Sequence, residues 1–268
     1  PTPLFAEEGA RLETATWRNA AAFFNPALRN FCGPYTRSYH PDATRSVTLF
    51  SLWLWALFGR DAAPLPLLDS DVVDHSHDLM AGPLVARLAT PPEGVDLATF
   101  TEPLTEARVV VQNLPNERTV TAHVEPSLML GAESSPHDWG GWSQFVPVTA
   151  HWAEGDEIGV LWLLAPRRTR ATVRGRSIEL GCQLPLEFRL LAPMCIALSD
   201  GFETGAVRVN TDPDVIVTVA AVEPGDFRVF VAALTEDEPG DPVGDERRLV
   251  LTFDLDGDRA GDIDRIAL

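Results

Sequence analysis

The chain has 268 residues, 45% of them hydrophobic, and its 39 acidic and 21 basic side chains give a formal net charge of −18 at pH 7. This length fits one large domain or two smaller ones, and the apolar fraction excludes a chain that is disordered throughout. An acidic surface repels phosphate backbones and anionic lipid headgroups, so we expect neither nucleic acid nor a membrane as a partner. The three cysteines, none in a CxxC pair, predict neither a disulfide scaffold nor a zinc site.

The first hundred residues show the periodicity of helices. Apolar residues between Trp17 and Phe24 recur at i, i+3, i+4 and i+7, which predicts one buried helix face, and Pro26 ends that helix. Further helices are predicted over 42–58 and 71–81. The first of these is strongly apolar, but its apolar run is too short to span a bilayer, which takes roughly 20 residues.

From about residue 100 the period of the apolar pattern changes to two, which indicates β-strands. Strands are predicted at 108–113, 118–125, 146–152, 158–164, 177–184, 187–192, 206–210, 215–222, 227–234, 249–255 and 263–268. Turn residues separate them and no helical pattern lies between them, which is typical of an antiparallel sandwich. The prediction is therefore a mainly β chain: a short N-terminal α-helical segment over 1–99, followed by a large antiparallel β-sandwich over 100–268.

The segment around the only two tyrosines, Tyr35 and Tyr39, is the most unusual in the chain. They lie on either side of Arg37, between two prolines. In an extended backbone these three side chains project to one side. A neighbouring guanidinium favours the phenolate and lowers the pKa of a phenol, so a tyrosine here can act as an acid or a base. Asn30 and Arg37 are candidates to hold a carboxylate; packing of both tyrosines between helices and sandwich is the alternative.

Two histidines in the segment DHSHD, residues 74–78, form a second candidate. His75 and Asp78 lie at i, i+3 on a predicted helix, where the carboxylate can orient the imidazole, whereas His77 faces another side. A metal site is one alternative, although histidines at i, i+2 suit a strand better than a helix. A solvated first turn of the helix is the other.

Trp139 and Trp142 flank a Gly-Gly turn and form a candidate substrate-binding platform. Tryptophan has a large flat apolar surface with a polar edge, which suits stacking against a sugar ring. Buried tryptophans that close the end of the sandwich are the alternative. The pair is therefore a hypothesis about binding, and no role in chemistry is predicted for it.

The acidic segment 254–264 resembles a calcium loop. Its candidate ligands are Asp254, Asp256, Asp258 and Asp262. Arg259 stands where such a loop needs its turn glycine, and Arg265 occupies the twelfth position in place of glutamate. This spacing favours an acidic hairpin turn, so no metal and no other cofactor is predicted.

The order of these features resembles the junction between the helical toroid and the stacked β-sheets of heparinase II/III-like and chondroitinase AC-like polysaccharide lyases. The resemblance rests on Asn30, on the motif GPY-x-R-x-Y that follows it, and on the two histidines. In that superfamily a tyrosine and a histidine act as acid and base, and an asparagine or arginine neutralises the uronate carboxylate. The resemblance thus implies these catalytic residues: Tyr35, Arg37, Tyr39, His75 and His77.

The activity that this resemblance implies is β-elimination on an acidic polysaccharide. The C5 proton of a uronate becomes removable when its carboxylate is neutralised in the transition state. A complete toroid has many more helices than this chain, so the resemblance also implies a missing N-terminal helical domain or a second chain. One alternative is a non-catalytic module, a β-sandwich that binds carbohydrate or has a structural role. The other is a hydrolase with paired carboxylates, although no carboxylate pair in the sequence is distinguished from the other acidic residues.

The net charge adds a requirement to this hypothesis. A chain of charge −18 attracts a polyanion only through a local cluster of basic side chains. Segment 167–176 provides the candidate cluster, and we expect it at a strand edge of the sandwich. Its basic residues are Arg167, Arg168, Arg170, Arg174 and Arg176.

Overall fold

The structure is a computed structural model. It describes residues 3–34, 92–135, 146–154, 157–163, 169–191, 196–198, 201–203, 207–210, 215–223, 226–233 and 247–253. These residues fall into two compact units, described separately below. The first contains residues 3–31, 92–108 and 124–126; the second contains 32–34, 109–123 and the described residues from 127 onward. The predicted domain boundary at residues 99–100 stays a prediction, because the preceding stretch 35–91 lies outside the described residues.

The first unit has an aromatic core. Its elements are α1 (Pro3–Phe23), β1 (Phe24–Asn25), β2 (Asn30–Phe31) and the short α2 (Ala98–Thr101). Trp17 and Phe100 meet edge to face with their ring centroids 5.8 Å apart, and Phe24 lies 5.7 Å from Phe100. The predicted buried helix face is confirmed for Trp17, Ala20 and Ala21, which pack into this core. The helix ends earlier than predicted, at Phe23, and Phe24 reaches the core from β1. In the described part of the chain, no helix is long and apolar enough to cross a membrane.

Arg108 and Asn25 fix the end of α1. The last carbonyl groups of a helix have no partner within it, and the Arg108 guanidinium donates hydrogen bonds to the carbonyl oxygens of Ala21 and, at 3.1 Å, Phe24. Asn25 is fully buried and donates from Nδ2 to the carbonyl oxygen of Glu125 at 2.7 Å. Side chains thus hold the turn after the helix.

All the remaining described elements are strands. They are β3 (Arg108–Leu114), β4 (Arg118–Glu125), β5 (Leu128–Ser134), β6 (Val148–Glu154), β7 (Glu157–Leu163), β8 (Thr169–Arg174), β9 (Ser177–Cys182), β10 (Leu186–Leu191), β11 (Ile196–Leu198), β12 (Gly201–Glu203), β13 (Val207–Asn210), β14 (Val215–Glu223), β15 (Asp226–Ala233) and β16 (Arg247–Phe253). Strands β11 and β12 pair with each other. The other twelve form one sheet.

The twelve-stranded sheet runs in the order β13-β16-β9-β8-β5-β6-β7-β10-β15-β14, with β4 beside β5 and β3 beside β4. Every register that the structure defines is antiparallel. The sheet is curled: Trp152 on β6 and Phe253 on β16 have their ring centroids 6.1 Å apart. Three strands lie between β6 and β16, so a flat sheet would hold these strands about 19 Å apart.

Because of this curl, one sheet encloses its own core, and the fold is sandwich-like. The core residues come from both halves of the sheet; examples are Leu130, Trp152, Leu180, Phe188 and Leu251. The predicted fold class, a mainly β chain with a short N-terminal helical segment followed by antiparallel strands, is confirmed. The two facing layers are parts of one continuous sheet.

Candidate functional site

Of the residues predicted for catalysis, substrate binding and the acidic turn, only Asn30 lies in the described part of the chain. Outside it lie Tyr35, Arg37, Tyr39, His75, His77, Trp139 and Trp142. The predicted acidic turn, with Asp254, Asp256, Asp258 and Asp262, also lies outside it. Their roles stay predictions.

Asn30 lies in the β1–β2 hairpin, opposite Asn25. It is 5% exposed, and its Oδ1 accepts a hydrogen bond of 2.8 Å from the backbone N–H of Phe31. This hydrogen bond helps to hold the backbone at the start of the segment that leads to Tyr35. Binding of a substrate carboxylate by Asn30 stays a prediction.

The residues that come directly before Tyr35 lie against the sheet. A Cβ atom on Gly33 would overlap the side chain of Thr149, and a Cβ atom on Gly131 would overlap the carbonyl group of Gly33. Gly131 and Thr149 are cross-strand partners on β5 and β6. Only glycine allows backbone and sheet to approach this closely, so the segment that leads into the tyrosine motif starts from a fixed position.

The sheet face under Gly33 is buried along β5, β6 and β7, which we call the buried strands. His151 on β6 lies opposite Met129 and Val160, and all three are fully buried. Burial lowers the pKa of His151 to about 3, so its imidazole is neutral near pH 7. The hydroxyl group of Thr149 on the same face forms no hydrogen bond to a described residue.

A buried ion pair joins β5, one of the buried strands, to β4. Glu133 on β5 has a fully buried side chain. Arg118 on β4 donates two hydrogen bonds to its carboxylate, from Nε to Oε1 at 2.5 Å and from Nη2 to Oε2 at 2.9 Å. The hydrogen bond to Glu133 raises the pKa of Arg118. Both oxygens of the carboxylate are used by the protein itself, which indicates a structural role.

A different surface lies on β8, β9 and β16. Residues along these strands alternate between the core and solvent, as expected for antiparallel strands with one solvated face. Ala171, Leu180 and Leu249 point inward and are fully buried. The opposite side of these strands carries four charged residues, which we call the arginine face: Arg170, Arg174, Glu179 and Arg248.

The strand registers make the four residues of the arginine face neighbours across β8, β9 and β16. Arg170 and Arg248 both lie opposite Gly181, one on each side, so their backbones are about 10 Å apart across a residue without a side chain. Glu179 lies between Arg174 and Arg248: its Oε2 is 3.2 Å from Nε of Arg174, and its Oε1 is 3.1 Å from Nη2 of Arg248. These two arginine side chains remain 69% and 71% exposed.

The arginine face can bind oxyanions. Three guanidinium groups and one carboxylate give it a positive local charge in a chain whose net charge is −18. The planar fork of a guanidinium matches a carboxylate with two parallel hydrogen bonds. Beside it, the hydroxyl groups of Ser177 and Thr252 lie 3.3 Å apart and offer polar contacts. Of the predicted cluster, Arg167 and Arg168 lie outside the described residues.

The described residues contain no group of three or more His, Cys, Asp and Glu side chains placed to hold a metal ion. Cys32 and Cys182 are buried free thiols, and burial raises the pKa of Cys32. A thiol that stays protonated is a poor nucleophile and a poor metal ligand. Cysteine chemistry therefore has no support at Cys32.

Comparison with known proteins adds one match. The family model of a domain of unknown function, DUF8769, matches residues 2–90. The matched stretch contains Asn30 and every predicted catalytic residue, and it ends before β3. No curated protein and no solved structure matches the chain.

Proposed function

We propose that this chain is a carbohydrate-active protein that binds an acidic polysaccharide on the arginine face. One observation carries the proposal. Three arginines share a solvated sheet face with one carboxylate, which pairs with two of them, in a chain with a large negative charge. This is the local basic cluster that a polyanion requires in order to approach such a protein.

The partner is a polymer rather than a small anion because each contact is weak. An exposed ion pair contributes only about 0.2–1 kcal/mol, so one carboxylate alone binds poorly to Arg170, Arg174 or Arg248. A chain of uronates presents many carboxylates, and after the first contact the others form within the same complex at a high effective concentration. Weak contacts thereby add up to useful affinity.

The side chains around the arginines favour a carbohydrate over a nucleic acid. Single-stranded nucleic acids bind through aromatic side chains on which bases stack, and the described outward-facing residues of β8, β9 and β16 include none. The hydroxyl pair of Ser177 and Thr252 suits the hydroxyl groups of a sugar. The negative charge of the whole chain also disfavours a phosphate backbone, which is densely charged.

The proposal includes β-elimination at the tyrosine motif. A neutralised uronate carboxylate lets the C5 proton leave to a base, the C4–O bond breaks, and the leaving oxygen takes a proton while a C4–C5 double bond forms. Support comes from the residue types of the motif, from the resemblance to polysaccharide lyases and from the fixed position of Gly33. The proposed groups are Asn30, Tyr35, Arg37, Tyr39, His75 and His77.

Binding is tested by affinity electrophoresis and calorimetry with polygalacturonate, alginate and hyaluronan at low salt. Arg170→Ala, Arg174→Ala and Arg248→Ala should each weaken binding about two- to fivefold, and the triple variant far more. Arg11→Ala is the control, since Arg11 is also an exposed arginine paired with a carboxylate, on α1. Equal affinity of wild type and triple variant, or tighter binding of an oligonucleotide than of every polysaccharide, would refute the proposal.

Cleavage is tested separately, by the ultraviolet absorbance of the unsaturated uronate product. Tyr35→Phe and Tyr39→Phe should each lower the rate, by about 10²–10⁴ for the one that exchanges a proton with substrate. Binding on the arginine face without any unsaturated product would leave a non-catalytic carbohydrate-binding module as the function. The two experiments thus distinguish the binding and catalytic parts of the proposal.

A further inference from the structure

We propose that β3 is an interaction surface that pairs, edge to edge and antiparallel, with β3 of a second copy of this chain. This surface is independent of the arginine face, which lies on other strands. The inference rests on the exposure of β3, on its open edge and on the distribution of charge along it.

Two valines on β3 are unusually exposed. Val109 is 71% and Val111 63% exposed, whereas other large apolar side chains exposed in the described residues stand singly, as Leu12 does on α1. Residues two apart on a strand share a face, so the two valines form one continuous apolar strip. Contiguous exposed apolar surface is one feature of interaction sites.

The edge of β3 is open within the described part of the chain, where β3 pairs with β4 alone. Such an edge presents backbone N–H and C=O groups that accept another strand, and proteins normally protect it with charged side chains or proline. The exposed residues of β3 are Val109, Val111 and Asn113, and none is charged. The one arginine of the strand, Arg108, donates to the carbonyl oxygen of Phe24.

A second copy is the partner that this sequence fits. The repulsion between two chains of charge −18 is weakest where carboxylates are missing, and β3 has none. An antiparallel register centred on Val110 places Val109 of each copy opposite Val111 of the other, so four valines cluster on one face. The flanking pair is Arg108 with Gln112, which brings no like charges together. Cross-strand pairs of β-branched residues stabilise such a contact.

The proposed contact has a distinctive dependence on salt. At about 1 M salt the Debye length falls to about 3 Å, from about 10 Å at 0.1 M, which removes most of the repulsion between two acidic chains. Association through β3 should therefore strengthen with salt, whereas binding on the arginine face should weaken. A seven-residue strand pair buries less than a standard interface, so the dimer should be reversible.

The test is sedimentation equilibrium of the full chain across protein concentration, at low salt and at about 1 M salt. We expect a monomer–dimer equilibrium that high salt favours. The double variant Val109→Lys/Val111→Lys should weaken dimerisation at least about tenfold. Leu12→Lys is the matched control, because Leu12 is an exposed apolar residue elsewhere (55%), and it should change nothing.

A second double variant, Val109→Thr/Val111→Thr, keeps the branched shape and strand propensity and removes only apolar surface. It should fold as the wild type does, checked by circular dichroism, and dimerise several-fold more weakly. A wild-type chain that stays monomeric at high salt and high concentration overturns the proposal. A dimer that neither β3 variant weakens, or that Leu12→Lys disrupts, overturns it equally.

Discussion

The buried strands and the arginine face belong to one sheet, but they place polar and charged side chains in opposite environments, one buried and one solvated. On β8, β9 and β16 the alternation of residues separates an apolar side from a charged, solvated side. On β5, β6 and β7 both sides are buried, so polar groups there are neutral, as His151 is, or held by a partner, as Glu133 is. Of these two regions, the arginine face is therefore the one that offers described charged groups to a ligand.

The comparison is clearest for the carboxylates of the two regions. Glu133 is fully buried and shares both oxygens with Arg118, while Glu179 is 28% exposed and lies between two arginines that are largely in solvent. Removing one member of a buried pair leaves an uncompensated charge, whereas water can replace a partner at the surface. The same type of ion pair thus supports the fold in one region and leaves donors free for a ligand in the other.

The largest expected effect is the loss of stability in Glu133→Gln. Breaking a buried pair costs about 3–5 kcal/mol, and because the Arg118 side chain is 20% exposed we expect about 2–3 kcal/mol in the free energy of unfolding. The matched substitution Glu179→Gln should cost less than about 0.5 kcal/mol. Urea denaturation measures both; equal losses would show that the contrast between the two regions is wrong.

A second test concerns the close approach of Gly33 to the buried strands. Gly131→Ala puts a methyl group against the Gly33 carbonyl, so the backbone has to shift, and we expect a loss of about 2–3 kcal/mol. Gly9→Ala is the control: the space around Gly9 on α1 is open, and alanine there should stabilise the chain by up to about 1 kcal/mol. Thermal unfolding of both variants checks the prediction, which is wrong if Gly131→Ala has the same melting temperature as the wild type.

A third prediction uses the neutral imidazole of His151. Its pKa is lowered from 6.5 to about 3, so the unfolded chain binds this proton at a higher pH than the folded chain does. The stability from this group is complete above its unfolded pKa and decreases as the pH falls from there towards about 3. Between about pH 7.5 and 5.5 the loss should be about 1.4 kcal/mol.

The check on this third prediction is His151→Gln, followed by urea denaturation at the two pH values. The variant should lose this part of the pH dependence while other groups keep theirs. An unchanged slope in His151→Gln would mean that this imidazole is not held neutral in the fold.

The smallest effect is a gain of affinity in Glu179→Gln. In the free protein the Glu179 carboxylate occupies Arg174 and Arg248, as a substrate carboxylate would. The substitution removes this competitor and one negative charge, so polygalacturonate should bind about two- to fivefold more tightly, in line with the small free energy of an exposed pair. Weaker binding in calorimetry would show that Glu179 positions the arginines for the polymer and does not compete with it.

Much of the fold could be predicted from the sequence because alternation is a local signal. The strand predicted at 118–125 coincides with β4. The sequence pattern did not predict strands β5 and β8, for two different reasons. Strand β5 is buried on both sides and contains Gly131, so it shows no alternation, while β8 is dominated by arginine and threonine.

The candidate site could be predicted only in part, for a different physical reason. Alternation indicates that Arg174 and Arg248 each face outward, but it does not show that β16 lies beside β9, because that pairing is non-local. Glu179, midway between them, had no signal of its own in an acidic sequence. The tyrosine motif was found by its composition, and its geometry lies outside the described residues.

The strand order has a consequence for how the sheet comes apart. Strands β13 and β14 are neighbours in sequence, yet they stand at the two ends of the ten-strand path. In a flat sheet they would be about 43 Å apart, whereas the five peptide links from Asn210 to Val215 reach at most about 19 Å. The two ends of the path therefore lie within about 19 Å of each other. Because the chain joins them directly, neither edge strand of the curled sheet can move far from it without displacing the other.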